Sequence, residues 1–275
     1  WWFRDPSMEE ETFWKFWTDG DDDITAVCQA QGNEYMAILH PRWRTQELAQ
    51  TIRTWAIEQL NEQARREGKT GVAWLQEEAC DDDPDGMSLL EREEYIRQDM
   101  HCLQYNRSMA DPIPEPQLSE GFVIRNIRKE EIEARAALHY DAFHPNSSMT
   151  PDTYHRIARM PGYDINLDLV AVAPDGTFAA GCICWMDTAN KVGLFEPLGT
   201  RPAFRRKRLA TALMQEGLHR LKRRCAVTAL VTGSHPGEVG GWLPVEFTSS
   251  RHVFEVAGFR LVRRVYRYIK EFESE

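Results

Sequence analysis

No stretch of this sequence is apolar for anything near the roughly 20 residues that a membrane-spanning helix requires, so a membrane partner is not expected. Paired cysteines are missing as well. The six that occur, Cys28, Cys80, Cys102, Cys182, Cys184 and Cys225, form no CxxC pair and no metal-ligand spacing. Cys182 and Cys184 lie in an apolar segment, where cysteine behaves as a small hydrophobe. Free thiols in a reducing cytoplasm are the expectation. The opening "WWFRDPSMEEETFWKFW" has acids and aromatics where a signal peptide has a basic and then an apolar region; Ser7 and Glu10 are spaced there as a capping box for a short helix. Excess positive charge is also lacking. The formal net charge of -10 argues against nucleic acid as the main partner.

What is present starts with length. At 275 residues the chain suggests two domains, and 42% hydrophobic residues suffice for packed cores. Despite the acidic total, Arg201 to Arg224 holds nine Lys/Arg and one acid, Glu216. Within it, "PAFRRKRLATALMQEGLHRL" (202–221) puts Arg205, Arg206, Lys207 and Arg208 just where Leu209, Leu213, Leu218 and Leu221 begin a helical periodicity. Bases at the positive end of a helix dipole are locally unfavourable. Such a site either awaits a small polyanion or is a solvated basic patch; charge alone leaves both readings open.

The same pattern occurs earlier. Residues 41–60, "PRWRTQELAQTIRTWAIEQL", match 202–221 at a constant offset: Pro41 with Pro202, Arg44 with Arg205, Leu48-Ala49 with Leu209-Ala210, Leu60 with Leu221. Each copy follows an extended segment, and "LLEREEYI" (89–96) resembles "HVFEVAGFRL" (252–261) at a similar offset. The chain therefore reads as two halves of one plan. Between them "SMADPIPEPQLSEG" has three alternating prolines and reads as an extended linker. The expected division is 1–118 and 119–275.

The second half parses as strand 121–128, helix 129–143, a shorter helix capped by Thr150, strand 165–173, the turn "PDGT", and strands 178–187 and 192–200. The basic helix, strand 226–233, helix 249–258 and strand 259–269 complete it. Antiparallel hairpins followed by a strand–helix–strand crossover make a mixed-sheet α/β (α+β) domain.

At these residues the sequence resembles the GNAT N-acetyltransferase superfamily. The run Arg205-Arg206-Lys207-Arg208-Leu209-Ala210 is similar to its acetyl-CoA-binding motif Arg/Gln-x-x-Gly-x-Gly/Ala, and "RHVFEVAGFRLVRR" to its closing helix and strand. The resemblance implies two GNAT-like domains in tandem, the first degenerate, and acetyl transfer to a primary amine of a small molecule or peptide. It implies acetyl-CoA as cosubstrate, with backbone amides from Arg205 through Arg206, Lys207, Arg208, Leu209 and Ala210 to Thr211 around the diphosphate. Leu198, Gly199 and Thr200 would pair with the pantetheine arm. Physically, the free N–H groups of a helix start suit a pyrophosphate.

Acetyl transfer needs a neutral amine, and alkyl amines are mostly protonated at neutral pH, so a general base is expected. Glu196 is the candidate, on the strand that carries the base in the family; its counterpart in the first copy is Tyr35. The alternative is an exposed edge carboxylate.

The sequence departs from the family in several places. Arg208 stands where the motif has its first glycine, and Glu47 stands there in the first copy, where it would repel a diphosphate. No CoA is expected in the first half. Phe254 replaces the tyrosine that often protonates the leaving thiolate, and Phe247 an asparagine earlier in that helix; Tyr266 or water is a substitute. These departures motivate a rival reading, an inactive CoA-binding sensor or scaffold. His139, His144 and His155 punctuate the region of the family's acceptor site, though lone helical histidines are more often packing or surface residues. The loop 235–248 reads as a lid or an insertion. Asp81, Asp83, Asp85 and Gly86 begin like a calcium loop, but Arg92 closes it, so a solvated turn capping the next helix is expected and no metal. A homodimer is compatible with the sequence.

Overall fold

The computed structural model describes residues 12–272 except 33, 73 and 235–248. The opening helix around Ser7 and Glu10, the 235–248 loop and Phe247 lie outside the described residues. The chain divides into two compact units that do not follow its linear order. One holds Met100–Arg264; the other holds the described residues up to Asp99 together with Val265 onward. Val265 onward belongs with the residues up to Asp99 because it pairs there with Trp74–Cys80.

In the N-terminal unit, β1 (Phe13–Thr18), β2 (Ile24–Gln31) and β3 (Glu34–Leu39) form an antiparallel meander. Helix α1 (Gln46–Arg66) leads to β4 (Trp74–Cys80), and α2 (Pro84–Arg92) follows. The sheet is completed by β11 (Arg260–Glu271), whose Val265–Glu271 run antiparallel to β4. The apolar stripe of α1, Ile52, Ala56, Leu60 and Ala64, packs on Ala26, Cys28, Ala30, Leu75 and Tyr268. Asp83 caps α2 by accepting from the Gly86 amide and pairs with Arg44, so the acidic run is the expected capping turn. Among the described residues no group of acids, histidines and cysteines is arranged to hold a metal.

In the C-terminal unit the strand order is β5 (Ile96–Ser108), β10 (Thr228–Ser234), β9 (Val192–Thr200), β8 (Phe178–Asp187), β7 (Asp168–Val172), β6 (Val123–Asn126). All neighbours are antiparallel except β9 and β10. Every residue of β7 is buried, as expected for a continuous apolar strand covered on both faces. Helix α5 (Leu209–Arg223) and α6 (Ser249–Val256) cover one face with Leu213, Leu218 and Phe254. Helices α3 (Ile132–Phe143) and α4 (Pro151–Ile157) cover the other with Leu138, Tyr154 and Ile157. Gly217 lets α5 approach the sheet; a Cβ there would lie 2.5 Å from the Phe195 ring.

The repeat is visible in three dimensions. Both copies run strand, one 3-10 turn (Pro41–Trp43 and Pro202–Phe204), then long helix. Both closing helices end with the same C-terminal cap: Tyr95 N–H donates to Leu90 O and Phe259 N–H to Phe254 O, with Glu94 and Gly258 at positive φ. The halves differ between their first strands. β6 and β7 are separated by α3 and α4, whereas β1 and β2 are joined by a five-residue turn, and Trp14 and Phe16 are exposed. The proline-rich segment 109–120 has no regular structure, yet Arg107 holds it by donating to Asp111 O and Pro112 O while also capping α6 at Ala257 O.

Candidate functional site

The site begins where two parallel strands part. Among the described residues β9 pairs with β10 from Val192/Thr228 to Phe195/Val231, while its other edge continues along β8 to Thr200/Ala180. Beyond Phe195, the β10-facing edge of β9, with Leu198, Gly199 and Thr200, has no ladder partner in β10. Gly199 is required by close packing: a Cβ would lie 2.7 Å from the Phe143 ring and 2.9 Å from Ala142 Cβ.

At the parting, β9 bulges. Cys182 opposes Leu198 and Cys184 opposes Phe195, so Glu196 and Pro197 together face Ile183. The bulge displaces the Glu196 carbonyl from the ladder, and it accepts instead from the Trp185 indole Nε1–H at 2.6 Å. The Glu196 side chain is half-buried, and its Oε2 accepts from the Thr232 hydroxyl of β10 at 3.4 Å. Burial pushes its carboxyl up to about 7, with the Thr232 hydrogen bond acting in the opposite direction.

The basic segment lies in the turn before α5 rather than in its first turn. Arg206 and Arg208 are both left-handed, at φ 63° and 60°. The position where the motif calls for glycine therefore requires positive φ, and Arg208 adopts it with a Cβ. Arg208 is the N-cap residue and makes no side-chain cap hydrogen bond. The first-turn amides of Leu209, Ala210 and Thr211 have no intrahelical acceptor. Arg206, Lys207 and Arg208 are exposed, and the Lys207 ammonium stands 5.5 Å from the rings of Phe122 and Phe204. Arg205 is half-buried, with Nη2 3.5 Å from Ala142 O.

The first copy is arranged oppositely. Thr45 caps α1 by accepting from Leu48 N–H at 3.2 Å, and Glu47 occupies its first turn. Among the described residues β3 and β4 pair at Glu34/Gln76. The interior beside that parting is filled by Tyr35, whose hydroxyl accepts from Arg53 Nε at 3.0 Å; Arg53 grips Glu77 through bonds of 3.0 and 3.1 Å. Burial, reinforced by Glu77, pushes the Tyr35 hydroxyl well above its ordinary range. An open concavity of about 490 Å³ on this unit is lined by Glu47, Trp55, Glu58 and Lys15. The Lys15 ammonium already lies over the Trp17 and Trp55 rings there.

Other expected residues are placed as follows. Phe254 is buried, its ring 5.3 Å from that of Tyr105 and close against Gly233. Tyr266 belongs to the N-terminal unit, where the Arg97 guanidinium lies 3.6 Å from its ring. His139 contacts Ser147 Oγ at 3.0 Å and the Phe143 ring, and His144 packs on Tyr140.

Sequence reasoning missed the residues behind Glu196. Asp168, fully buried at the start of β7, accepts from Arg135 Nε at 2.9 Å, from the Tyr163 hydroxyl at 2.8 Å and from the Tyr154 hydroxyl. The Tyr163 ring meets that of Trp185 edge-on at 6.2 Å. An arginine inside an otherwise apolar helix face and an aspartate opening an apolar strand were the available signals.

The Acetyltransferase (GNAT) family model matches residues 135–237, which span α3, the parted strands and the uncapped helix. No curated protein matches the chain. Among solved structures, it is similar to a tandem GNAT protein from the clavulanic acid biosynthesis pathway (TM-score 0.70, 14% identity, 96% of this chain and 85% of that one). It is also similar to a GCN5-related N-acetyltransferase from Sphaerobacter thermophilus (TM-score 0.68, 19% identity, 93% and 79%). A third is a GNAT-family acetyltransferase from Colwellia psychrerythraea (TM-score 0.58, 10% identity, 96% and 86%). Residues 135–237 are therefore similar to the GNAT acetyltransferase family, and the chain as a whole has the fold of a tandem GNAT protein.

Proposed function

We propose that the C-terminal unit binds acetyl-CoA and transfers its acetyl group to a primary amine of a small molecule or peptide, with Glu196 as general base. The observation that carries this reading is the half-buried Glu196 carboxyl placed at the point where β9 leaves β10, within reach of the Thr232 hydroxyl. The donor site fits the chemistry of the residues present. Uncapped amides at Leu209, Ala210 and Thr211, with exposed Arg206, Lys207 and Arg208, suit a diphosphate. The edge at Leu198, Gly199 and Thr200, without a ladder partner in β10 among the described residues, suits the amide groups of an extended arm.

Acetyl-CoA supplies the activated thioester. Glu196 takes one proton of the acceptor ammonium, which frees the nitrogen lone pair to form the new C–N bond as the C–S bond breaks; the second proton, shed by the nitrogen as it becomes an amide, passes through water to the departing thiolate. With Phe254 lacking a hydroxyl, the thiolate leaves unassisted or draws its proton from water; a thiol pKa near ~8.5 makes it a tolerable leaving group. In the N-terminal unit, the Thr45 cap, Glu47 and the Tyr35–Arg53–Glu77 cluster support a copy without a donor site. Free thiols at all six cysteines support a cytoplasmic location.

Phe254 and the strained Arg208 favour one rival, a CoA-binding sensor without turnover. Calorimetric titration of acetyl-CoA, followed by CoA-thiol release across an amine panel, tests both. One equivalent bound, weakened by Arg206→Glu with Arg208→Glu, and thiol release abolished by Glu196→Gln, is the transferase result. Binding without release with any amine supports the sensor; no binding overturns both readings.

A further inference from the structure

Glu196 is held from two sides that do different things. Thr232 touches its carboxylate, but nothing in that contact fixes the backbone of a bulged strand. The backbone is fixed by Trp185, whose indole donates to the carbonyl freed by the bulge. Trp185 is itself confined. One edge of its ring meets Tyr163, whose hydroxyl is bound to the buried Asp168, and Asp168 is anchored by Arg135 and Tyr154. A line of contacts thus runs from the interior of α3 and α4 to the main chain of Glu196.

We propose that Trp185 is a positioning residue for Glu196, setting the place of its carboxylate through the indole–carbonyl bond, and that Tyr163 and Asp168 brace the indole. The proposal rests on Glu196 being the general base for its catalytic consequence, but not for the contact itself. Shifts of about 1 Å in a reacting group commonly cost ~10²-fold in rate, so the brace matters to turnover even though it touches no substrate.

The test uses the intact chain labelled with ¹⁵N. Nine tryptophans give nine indole signals, and Trp185→Phe identifies the relevant one while keeping a ring against Tyr163. The Trp185 indole N–H should be slow to exchange with solvent and should titrate with an inflection near pH 7, lost in Glu196→Gln and displaced in Tyr163→Phe. A freely exchanging signal without inflection would overturn the proposal. Steady-state kinetics with an amine found in the panel separates it from the base assignment. Trp185→Phe should lower kcat by about tenfold or more with little change in acceptor KM. If Glu196→Gln turns over normally while the indole still titrates, the base assignment falls and the contact stands. If Glu196→Gln is inactive but Trp185→Phe is not slowed, the positioning role falls and the base stands.

Discussion

The Thr232 hydroxyl points at Glu196 Oε2 from 3.4 Å, across the place where β9 and β10 have stopped pairing. A neutral donor and a half-buried carboxyl at a strand parting make a proton acceptor that is only lightly stabilised in its charged form. Its protonation near pH 7 has consequences for both rate and stability.

For rate, kcat/KM should rise through an acid limb with apparent pKa near 7, and Glu196→Gln should abolish that limb along with turnover. Thiol release across the pH range is the measurement.

For stability, the sign follows from the folded pKa lying above the ordinary 4.5. Burial contributes no penalty while Glu196 is protonated in both states, below about pH 4.5, and disfavours the folded state as pH rises through about 7. Glu196→Gln should therefore match the parent at pH 4.5 and exceed it at pH 8.5 by up to about 3 kcal/mol. Denaturant unfolding at the two pH values checks this.

Thr232→Val removes the one side-chain hydrogen bond that favours the Glu196 carboxylate. The acid limb should move upward by a fraction of a pH unit, a small shift because the bond is long. A downward shift would mean that solvent had entered the parting.

Much of this was legible in the sequence for identifiable reasons. The duplication and the strand–turn–helix of each half were carried by helical periodicity and by Pro41 and Pro202. Glu196 stood out as an acid in an apolar strand. What could not be read depended on register or on distant pairing. The Trp185–Glu196 bond exists because two residues of β9 oppose one of β8, and nothing local announces that. The pairing of Val265–Glu271 with β4 joins residues nearly the whole chain apart. The left-handed turn was hidden because Arg206 and Arg208 replace the glycine or asparagine that normally signals it.

Asp168 should be costly to neutralise. It holds Arg135 wholly inside the unit, and Arg135 Nη2 is buried without a hydrogen-bond partner among the described residues. Removing one partner of a buried pair leaves an uncompensated charge, commonly at ~3–5 kcal/mol. Asp168→Asn should lower stability by that order at neutral pH, measured by denaturant unfolding. A cost below about 1 kcal/mol would mean that the pair is solvated.

Arg208 offers the opposite case, a substitution that should stabilise. Its backbone sits at φ 60°, a conformation that costs a residue with a Cβ roughly 1 kcal/mol or more, whereas glycine adopts it freely. Glycine also loses more chain entropy on folding, which offsets part of the gain. The side chain makes no cap hydrogen bond, so little else is lost with it. Arg208→Gly should therefore raise the denaturation midpoint by the equivalent of about 0.5–1 kcal/mol with an unchanged denaturant slope. Destabilisation would instead show that the arginine side chain holds the turn, and that its presence at the glycine position is a structural requirement of this copy.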